Sequence, residues 1–322
     1  MGSIPHVVED CMGVLQLFSD GTVYRCSDVA FNIPVVDDNS VVFKDIIYQH
    51  KLNLSLRIYK PKTATCSTAK LPVVFYLHGG GFCVGSRIWP NCHNCCLRLS
   101  SGLNAVVLSP DYRLAPEHKL PAAVEDAVSA VEWLQRESLS ENCDAWVRDT
   151  VDFDRVFVVG DSSGGNLAHH LAVLIGTGSL EVGPVKVRGY VLLAPFFGGV
   201  ARTKSEEGPP EAMLNLDILD RFWRLSLPVG ESRDHPLANP FGPGSPDLEQ
   251  VDLDPILVIV GGNEMLKDRV ESYWSRLKEM GKEIEYVEFS DKQHGFFTND
   301  PYSQVAYEAL QVIKRFMVGY SC

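Results

Sequence analysis

The chain has 322 residues, 45% of them hydrophobic and 22% charged, with a formal net charge of −12. That length suits one large α/β domain with a sizeable core, or two small ones, and the composition is that of a globular protein. The acidic balance argues against nucleic acid or an anionic membrane surface as the main partner.

Met1 to Asp10 holds no apolar signal core, its acids Glu9 and Asp10 come early, and His6 stands where a myristoylation signal has Ser or Thr. No apolar run reaches the ~18 residues of a membrane span. A soluble protein of the cytoplasm, with the nucleus also open to it, is the expectation; monomer and homodimer both fit. The nine cysteines form no framework. Cys92, Cys95 and Cys96 look like half a zinc site, but no second Cys-x-x-Cys follows at finger spacing, so they read as buried thiols. No metal or cofactor is expected.

Residues 1–40 read as a polar N-terminal arm, placed before the main sheet and free to pack over a site as a lid. Val14–Phe18 and Thr22–Arg25, joined by Ser19-Asp20-Gly21, read as a short hairpin in it. Val41–Tyr48 and Leu52–Tyr59 alternate as an antiparallel pair, and Lys60–Lys70 is a polar loop. Leu71–Leu77 is a continuous apolar run, hence a strand buried on both sides. It ends in His78-Gly79-Gly80-Gly81-Phe82. A helix is expected over Pro90–Ser101, a strand over Ala105–Ser109, the loop Pro110–Glu117, and a helix over Ala122–Arg136.

Arg155–Val159 is the next strand. It stops at Gly160-Asp161-Ser162-Ser163-Gly164-Gly165, and a helix-forming run begins at once. Gly-x-Ser-x-Gly between strand and helix is a nucleophile elbow: the sharp turn strains the serine, so the residues two before and two after must lack bulk. Val187–Ala194 is a strand. Residues 198–250 break the β–α pattern, with prolines and glycines at both ends and a helix over Asn215–Leu225, and read as an inserted cap. Pro255–Val260 (strand), Val270–Met280 (helix), Ile284–Phe289 (strand) and Ser303–Met317 (helix) complete the chain. Strands alternating with helices imply a mostly parallel sheet with helices on both faces, whose functional groups gather at the carboxyl ends of the strands.

Four groups fall at such ends. Ser162 is the candidate nucleophile, and a serine hydroxyl needs a base within reach. His294, in the short Gln293-His294-Gly295-Phe296 loop after the last strand, is the candidate base. The acid that orients it is Glu264 or Asp268. Glu264 is favoured, because it lies in the tight turn leaving the sheet, whereas Asp268 falls in the first turn of a helix, where an acid has a structural use. The main-chain N–H groups of Gly80, Gly81 and Ser163 are the candidate oxyanion donors, worth roughly 2.7–4 kcal/mol each. No Gly-Lys-Ser/Thr follows the glycines, so they are no P-loop. Asp161 reads as a brace of the elbow, Asp291 as a solvated loop carboxylate. Asp111, Tyr112, Arg113 and Glu117 read as a polar brace behind the glycine loop. Phe82, Phe196, Phe197, Phe222, Leu225 and Phe296 are candidate substrate-binding side chains.

At His78–Gly81, Gly160–Gly165 and Asp111-Tyr112-Arg113-Leu114-Ala115-Pro116-Glu117 the chain resembles the hormone-sensitive-lipase branch of the α/β-hydrolases, and within it the plant carboxylesterases. The likeness runs from about Leu15 to Met317. It is strongest to the carboxylesterase 15 subgroup at Glu9–Gly13, Trp89-Pro90, Val187–Leu192 and Phe222–Pro228. The resemblance implies an α/β-hydrolase fold and a Ser-His-acid esterase acting on a small ester or lactone; for that subgroup it implies hydrolysis of strigolactones, the butenolide plant hormones. The family carries aspartate in an Asp-Pro-Leu-like motif where this chain reads Glu264-Met265-Leu266. Relatives that became gibberellin receptors lost the base histidine, and relatives that act as dehydratases or cyclases alter the elbow or the glycine loop. A slow hormone-binding protein and a non-hydrolytic lyase or cyclase are therefore the alternatives to an esterase.

Overall fold

A computed structural model describes residues 4–26, 33–62 and 69–321. Residues 1–3 and 27–32 of the expected arm, 63–68 of the expected Lys60–Lys70 loop, and 322 lie outside the described residues.

The arm holds three strands: β1 (Val7–Cys11), β2 (Leu15–Phe18) and β3 (Val23–Arg25), paired antiparallel in that order. The hairpin of β2 and β3 is the expected one; β1 is additional. The main chain then runs β4 (Val41–Gln49), β5 (Leu54–Pro61), β6 (Leu71–Leu77), α1 (Pro90–Leu103), β7 (Val106–Pro110), α2 (Ala122–Leu139), α3 (Ala145–Thr150) and β8 (Val151–Asp161). It continues through α4 (Ser163–Gly176), β9 (Val187–Leu193), α5 (Leu216–Ser226), β10 (Ile256–Gly261), α6 (Lys267–Glu279), β11 (Ile284–Phe289), α7 (Phe296–Asn299) and α8 (Gln304–Gly319). The short α3 and α7 escape the periodicity. Asp144 Oδ1 caps α3 by accepting from Trp146 N at 2.9 Å.

The main sheet has eight strands in the order β11-β10-β9-β8-β6-β7-β5-β4. β11 through β7 are parallel, and β5 and β4 add antiparallel at one edge. Alternation along each inner strand divides the core. Val73, Phe75 and Leu77 of β6 point to one face with Val156, Val158, Val258 and Val260. There they meet Ala127 and Val131 of α2, Leu167 and Leu171 of α4, and Val270 and Leu277 of α6. Val74 and Tyr76 point to the other face with Phe157, Val159, Leu257 and Ile259, against Cys95 and Leu99 of α1 and Leu310, Ile313 and Phe316 of α8. Both faces of the parallel strands are covered, as continuous apolar runs require.

Register then aims the carboxyl ends. β6 and β8 are direct neighbours, with Leu77 across from Gly160, so the loop after β6 begins beside the turn after β8. β10 and β11 are neighbours too, with Gly261 across from Phe289. Gly262 N donates to Phe289 O at 2.8 Å and Asn263 N to Lys292 O at 2.9 Å, so the two following loops start joined.

The Pro110–Glu117 loop is held differently from the single brace expected. Tyr112 and Asp111 do back the glycine loop: Tyr112 Oη donates to His78 O at 2.8 Å, and Asp111 accepts from Arg87 N at 2.7 Å and pairs with its guanidinium. Arg113 turns instead to α2, where Asp126 Oδ2 accepts from Arg113 N (2.7 Å) and Nε (2.9 Å). Glu117 turns outward to Arg25 of β3. Replacing Asp126, 1% exposed, by Ala removes the acceptor of two Arg113 donors inside the fold. Asp126→Ala is expected to cost about 3 kcal/mol of stability, read from urea unfolding; an unmoved midpoint refutes the assignment.

Candidate active site

Ser162 sits between β8 and α4 with φ +55° and ψ −114°, a conformation that side-chain-bearing residues rarely hold. Two glycines permit it. A Cβ on Gly160 would overlap the Gly164 carbonyl, and one on Gly164 would overlap the Leu77 carbonyl. The turn is pinned by Ser162 N donating to Leu193 O and Phe196 N donating to Ser162 O, both at 2.8 Å. Ser162 thus tops the sheet at the mouth of α4, whose first N–H groups are open.

The glycine loop lies alongside. A Cβ on Gly79 would stand 3.2 Å from Ser162 Cβ. Gly80 (φ +121°) and Gly81 (φ +59°) use backbone that favours glycine, and a Cβ on Gly81 would overlap the Phe222 ring. The N–H groups of Gly80, Gly81 and Ser163 donate to none of the described residues. Behind the loop, the Tyr112 ring stacks on His78 with centroids 4.2 Å apart.

His294 and Glu264 meet as the chain order suggested: Glu264 Oε1 lies 3.0 Å from His294 Nδ1, and Oε2 accepts from Gly261 N at 2.9 Å. The Glu264 side chain is wholly buried. Asp268 is elsewhere, in the first turn of α6, accepting from Ser205 N at 2.8 Å. Burial by itself would lower the His294 imidazole; Glu264, with Asp161 and Glu211 beyond it, outweighs burial and pushes it up to about 9. Asp161 accepts from Thr298 Oγ1 at 2.8 Å, tying the elbow to α7 just past His294, and burial raises its carboxyl.

Ser162, His294, Asp161 and Gly79–Gly81 line one cavity of about 110 Å³. Its apolar walls include Met12 of the arm, Trp89, Phe196, Leu214, Leu219 and Phe222. Of the candidate aromatic contacts, Phe196 and Phe222 line it. Phe82 does not: φ +63° turns its ring into the core against Phe196 and Trp223. Phe197, next to Phe196, faces the opposite way onto Tyr273 and His169. Phe296 packs on Phe289 behind the Glu264–His294 pair, and Leu225 is buried in the core. The lining includes Asn91 and Asn299, which the sequence did not single out, and Cys92, which it singled out only as a buried thiol. Burial raises the thiols of Cys92, Cys95 and Cys96 on α1. Among the described residues no three His, Cys, Asp or Glu side chains group as a metal site, and no helix is long and apolar enough to cross a membrane.

A family model described as the alpha/beta hydrolase fold matches residues 74–298. The chain is 39% identical over 243 residues to an Arabidopsis thaliana protein named probable carboxylesterase 6, covering 73% of this chain and 69% of that one. It is 33% identical over 315 residues to a Glycyrrhiza echinata protein named 2-hydroxyisoflavanone dehydratase, covering 95% and 94%. Among solved structures it resembles a Pyrobaculum calidifontis esterase, with a TM-score of 0.72 and 32% identity over 89% of this chain and 86% of that one. The chain belongs to the α/β-hydrolase fold family. Within that family it groups with the plant carboxylesterases, and it is a carboxylesterase of the serine-hydrolase class.

The raised imidazole can be read directly. An NMR titration of His294 is expected to give a midpoint near 9. In Glu264→Gln the attraction is lost while burial remains, so the midpoint should fall by more than about one unit; an unchanged midpoint contradicts the pairing.

Proposed function

We propose that this chain hydrolyses carboxylic esters through a Ser162–His294–Glu264 triad. Ser162 Oγ attacks the carbonyl carbon, and His294 Nε2 takes its proton. Glu264 holds Nδ1 and stabilises the imidazolium that forms. The carbonyl oxygen becomes an oxyanion that the N–H groups of Gly80, Gly81 and Ser163 receive. His294 returns the proton to the leaving alcohol. Water, activated by His294 in turn, then attacks the acyl-enzyme, releasing the acid and Ser162. The observation that carries this reading is the shared cavity: a strained serine, a carboxylate-held histidine and the open N–H groups of the glycine loop line or border one space.

For the substrate we propose a butenolide lactone of the strigolactone type. Two features support it: the resemblance at Glu9–Gly13, Trp89-Pro90, Val187–Leu192 and Phe222–Pro228, and the apolar character of the cavity wall at Trp89, Phe196 and Phe222. Attack on the butenolide ring carbonyl breaks the ring C–O ester bond; the freed oxygen becomes an aldehyde as it expels the enol ether oxygen from the same carbon, and the ring-bearing enol lactone leaves with the proton held by His294. In this reading the arm and residues 198–250 form the cover of the site, since Met12, Met213, Leu214, Leu219 and Phe222 come from them.

The relative named as a dehydratase favours one second reading, elimination of water from a bound substrate with His294 as base. It predicts no acid product from any ester.

The deciding experiment is a product-resolved assay of a strigolactone beside p-nitrophenyl esters of graded chain length, with wild type and Ser162→Ala. Multiple turnovers to acid and alcohol are expected, reduced by several orders of magnitude in Ser162→Ala with an unchanged melting temperature. Undiminished turnover in Ser162→Ala sinks the triad; ester turnover without strigolactone cleavage removes only the substrate assignment.

A further inference from the structure

Glu211 stands in the irregular stretch before α5, and no motif marks it. Its carboxylate joins two loops. Oε1 accepts from the N–H of Met265, the residue after Glu264, at 2.6 Å. Oε2 accepts from the N–H of His294 itself, also at 2.6 Å. Hydrogen bonds to an ionised acceptor are roughly twice as strong as neutral ones. Neighbours reinforce the tie: Ala212 N donates to Gln293 Oε1 at 3.3 Å, and Ser205 Oγ donates to Met265 O at 2.8 Å. Two residues further on, Met213 begins the part of this stretch that lines the cavity.

Why such a tie is needed follows from the topology. β10 and β11 fix where the acid and base loops begin, but Glu264 and His294 lie beyond the last paired residues. A triad works only when its groups are held within ~0.5 Å of the productive geometry. The Glu264–His294 side-chain bond cannot by itself fix the two main chains that carry it. A carboxylate has two acceptors, and here they meet one N–H group from each loop, beyond the Asn263 N–Lys292 O bond that is the last direct main-chain tie between them.

We propose that Glu211 is a positioning residue: its one carboxylate clamps the acid loop to the base loop through their main chains and links both to the cavity wall. The proposal rests on the triad reading above. Charge adds a second effect. The groups facing the His294 imidazole are Glu264, Asp161 and Glu211, all acidic, so removing one weakens the pull on its proton. Burial raises Glu211's own carboxyl; its two backbone donors oppose that.

The test follows kcat, KM and pH dependence with a p-nitrophenyl ester for wild type, Glu211→Gln, Glu211→Asp and Ser205→Ala, with the melting temperature of each. The glutamine offers one acceptor and presents an amide N–H to the other donor. It should lower kcat roughly tenfold to a hundredfold with little change in KM. It should also move the acid limb of kcat/KM down, by less than Glu264→Gln lowers the His294 midpoint, because the neutral base then survives to lower pH. Glu211→Asp keeps the charge but not the reach: its limb should stay at the wild-type position while kcat falls. Ser205→Ala cuts a tie of the same stretch without removing charge, and its limb should not move. A Glu211→Gln enzyme with wild-type kcat and limb overturns the clamp, as does an equal limb shift in Ser205→Ala. If the glutamine variant does not fold, Glu211→Asp decides, and wild-type kcat there overturns the proposal. Ser162→Ala judges the triad separately: full loss there with no effect at Glu211 removes the clamp alone.

Discussion

The conformation of Ser162 constrains everything around it. A residue with a side chain at φ +55° costs about 1–3 kcal/mol and persists only where the surroundings over-determine it. Here β9 supplies an acceptor for its N–H, the chain after β9 supplies a donor for its carbonyl, and Gly160 and Gly164 let β8 and α4 cross against the end of β6. β6 and β8 pair side by side at the middle of the sheet, and the crossing lies at the carboxyl end of that pairing. The same adjacency brings the glycine loop within a Cβ's reach of Ser162, so strain at the serine and proximity of the N–H donors have one cause.

A second constraint is electrostatic. Three acidic side chains surround one largely buried imidazole, an arrangement that would be costly if all were charged and unpaired. The structure relieves it locally. Glu264 is paired with His294 and a backbone N–H, Glu211 has two backbone N–H donors, and Asp161 has Thr298 while burial favours its neutral form. What remains is a field that welcomes positive charge on His294. Such a field suits the imidazolium that the proposed acyl transfer would form, and it holds that form in the resting protein up to a higher pH than an ordinary histidine.

Much of this was legible in the sequence. Strands buried on both faces leave continuous apolar runs, so β6 through β10 could be placed, and glycines at fixed offsets mark an elbow whatever the fold around it. Glu264 could be found from its place after β10, even with a glutamate where the resembled family has aspartate. The misses have physical reasons. β1 is half exposed and shows no clean alternation, and α7 is a single turn. The phenylalanines could not be sorted by type, because a left-handed turn at Phe82 and the alternation from Phe196 to Phe197 decide which ring meets the cavity. Glu211 is 54 residues from Met265 and 83 from His294, in a proline-rich stretch without periodicity; nothing local could reveal its partners.

The two segments outside the main sheet that line the cavity differ in how they are held. The arm is tied at its rim by ion pairs with one partly exposed partner or two: Arg25 with Glu117, and Glu9 with Arg221 and Arg224. Exposed pairs contribute about 0–1 kcal/mol each and weaken with salt. The stretch before α5 is tied from inside. Arg269 pairs with Glu206 at 2.5 Å, side chains 10% and 4% exposed, and also binds the carbonyls of Gly198, Gly199 and Ala201. Breaking a buried pair of that kind costs roughly 3–5 kcal/mol. The ion pairs at the arm's rim are therefore the weaker ties, while Cys11 and Leu15 anchor the arm in the core and Arg25 donates to the carbonyls of Cys83 and Ala115. The ties of the Glu264 and His294 loops run to the stretch and not to the arm.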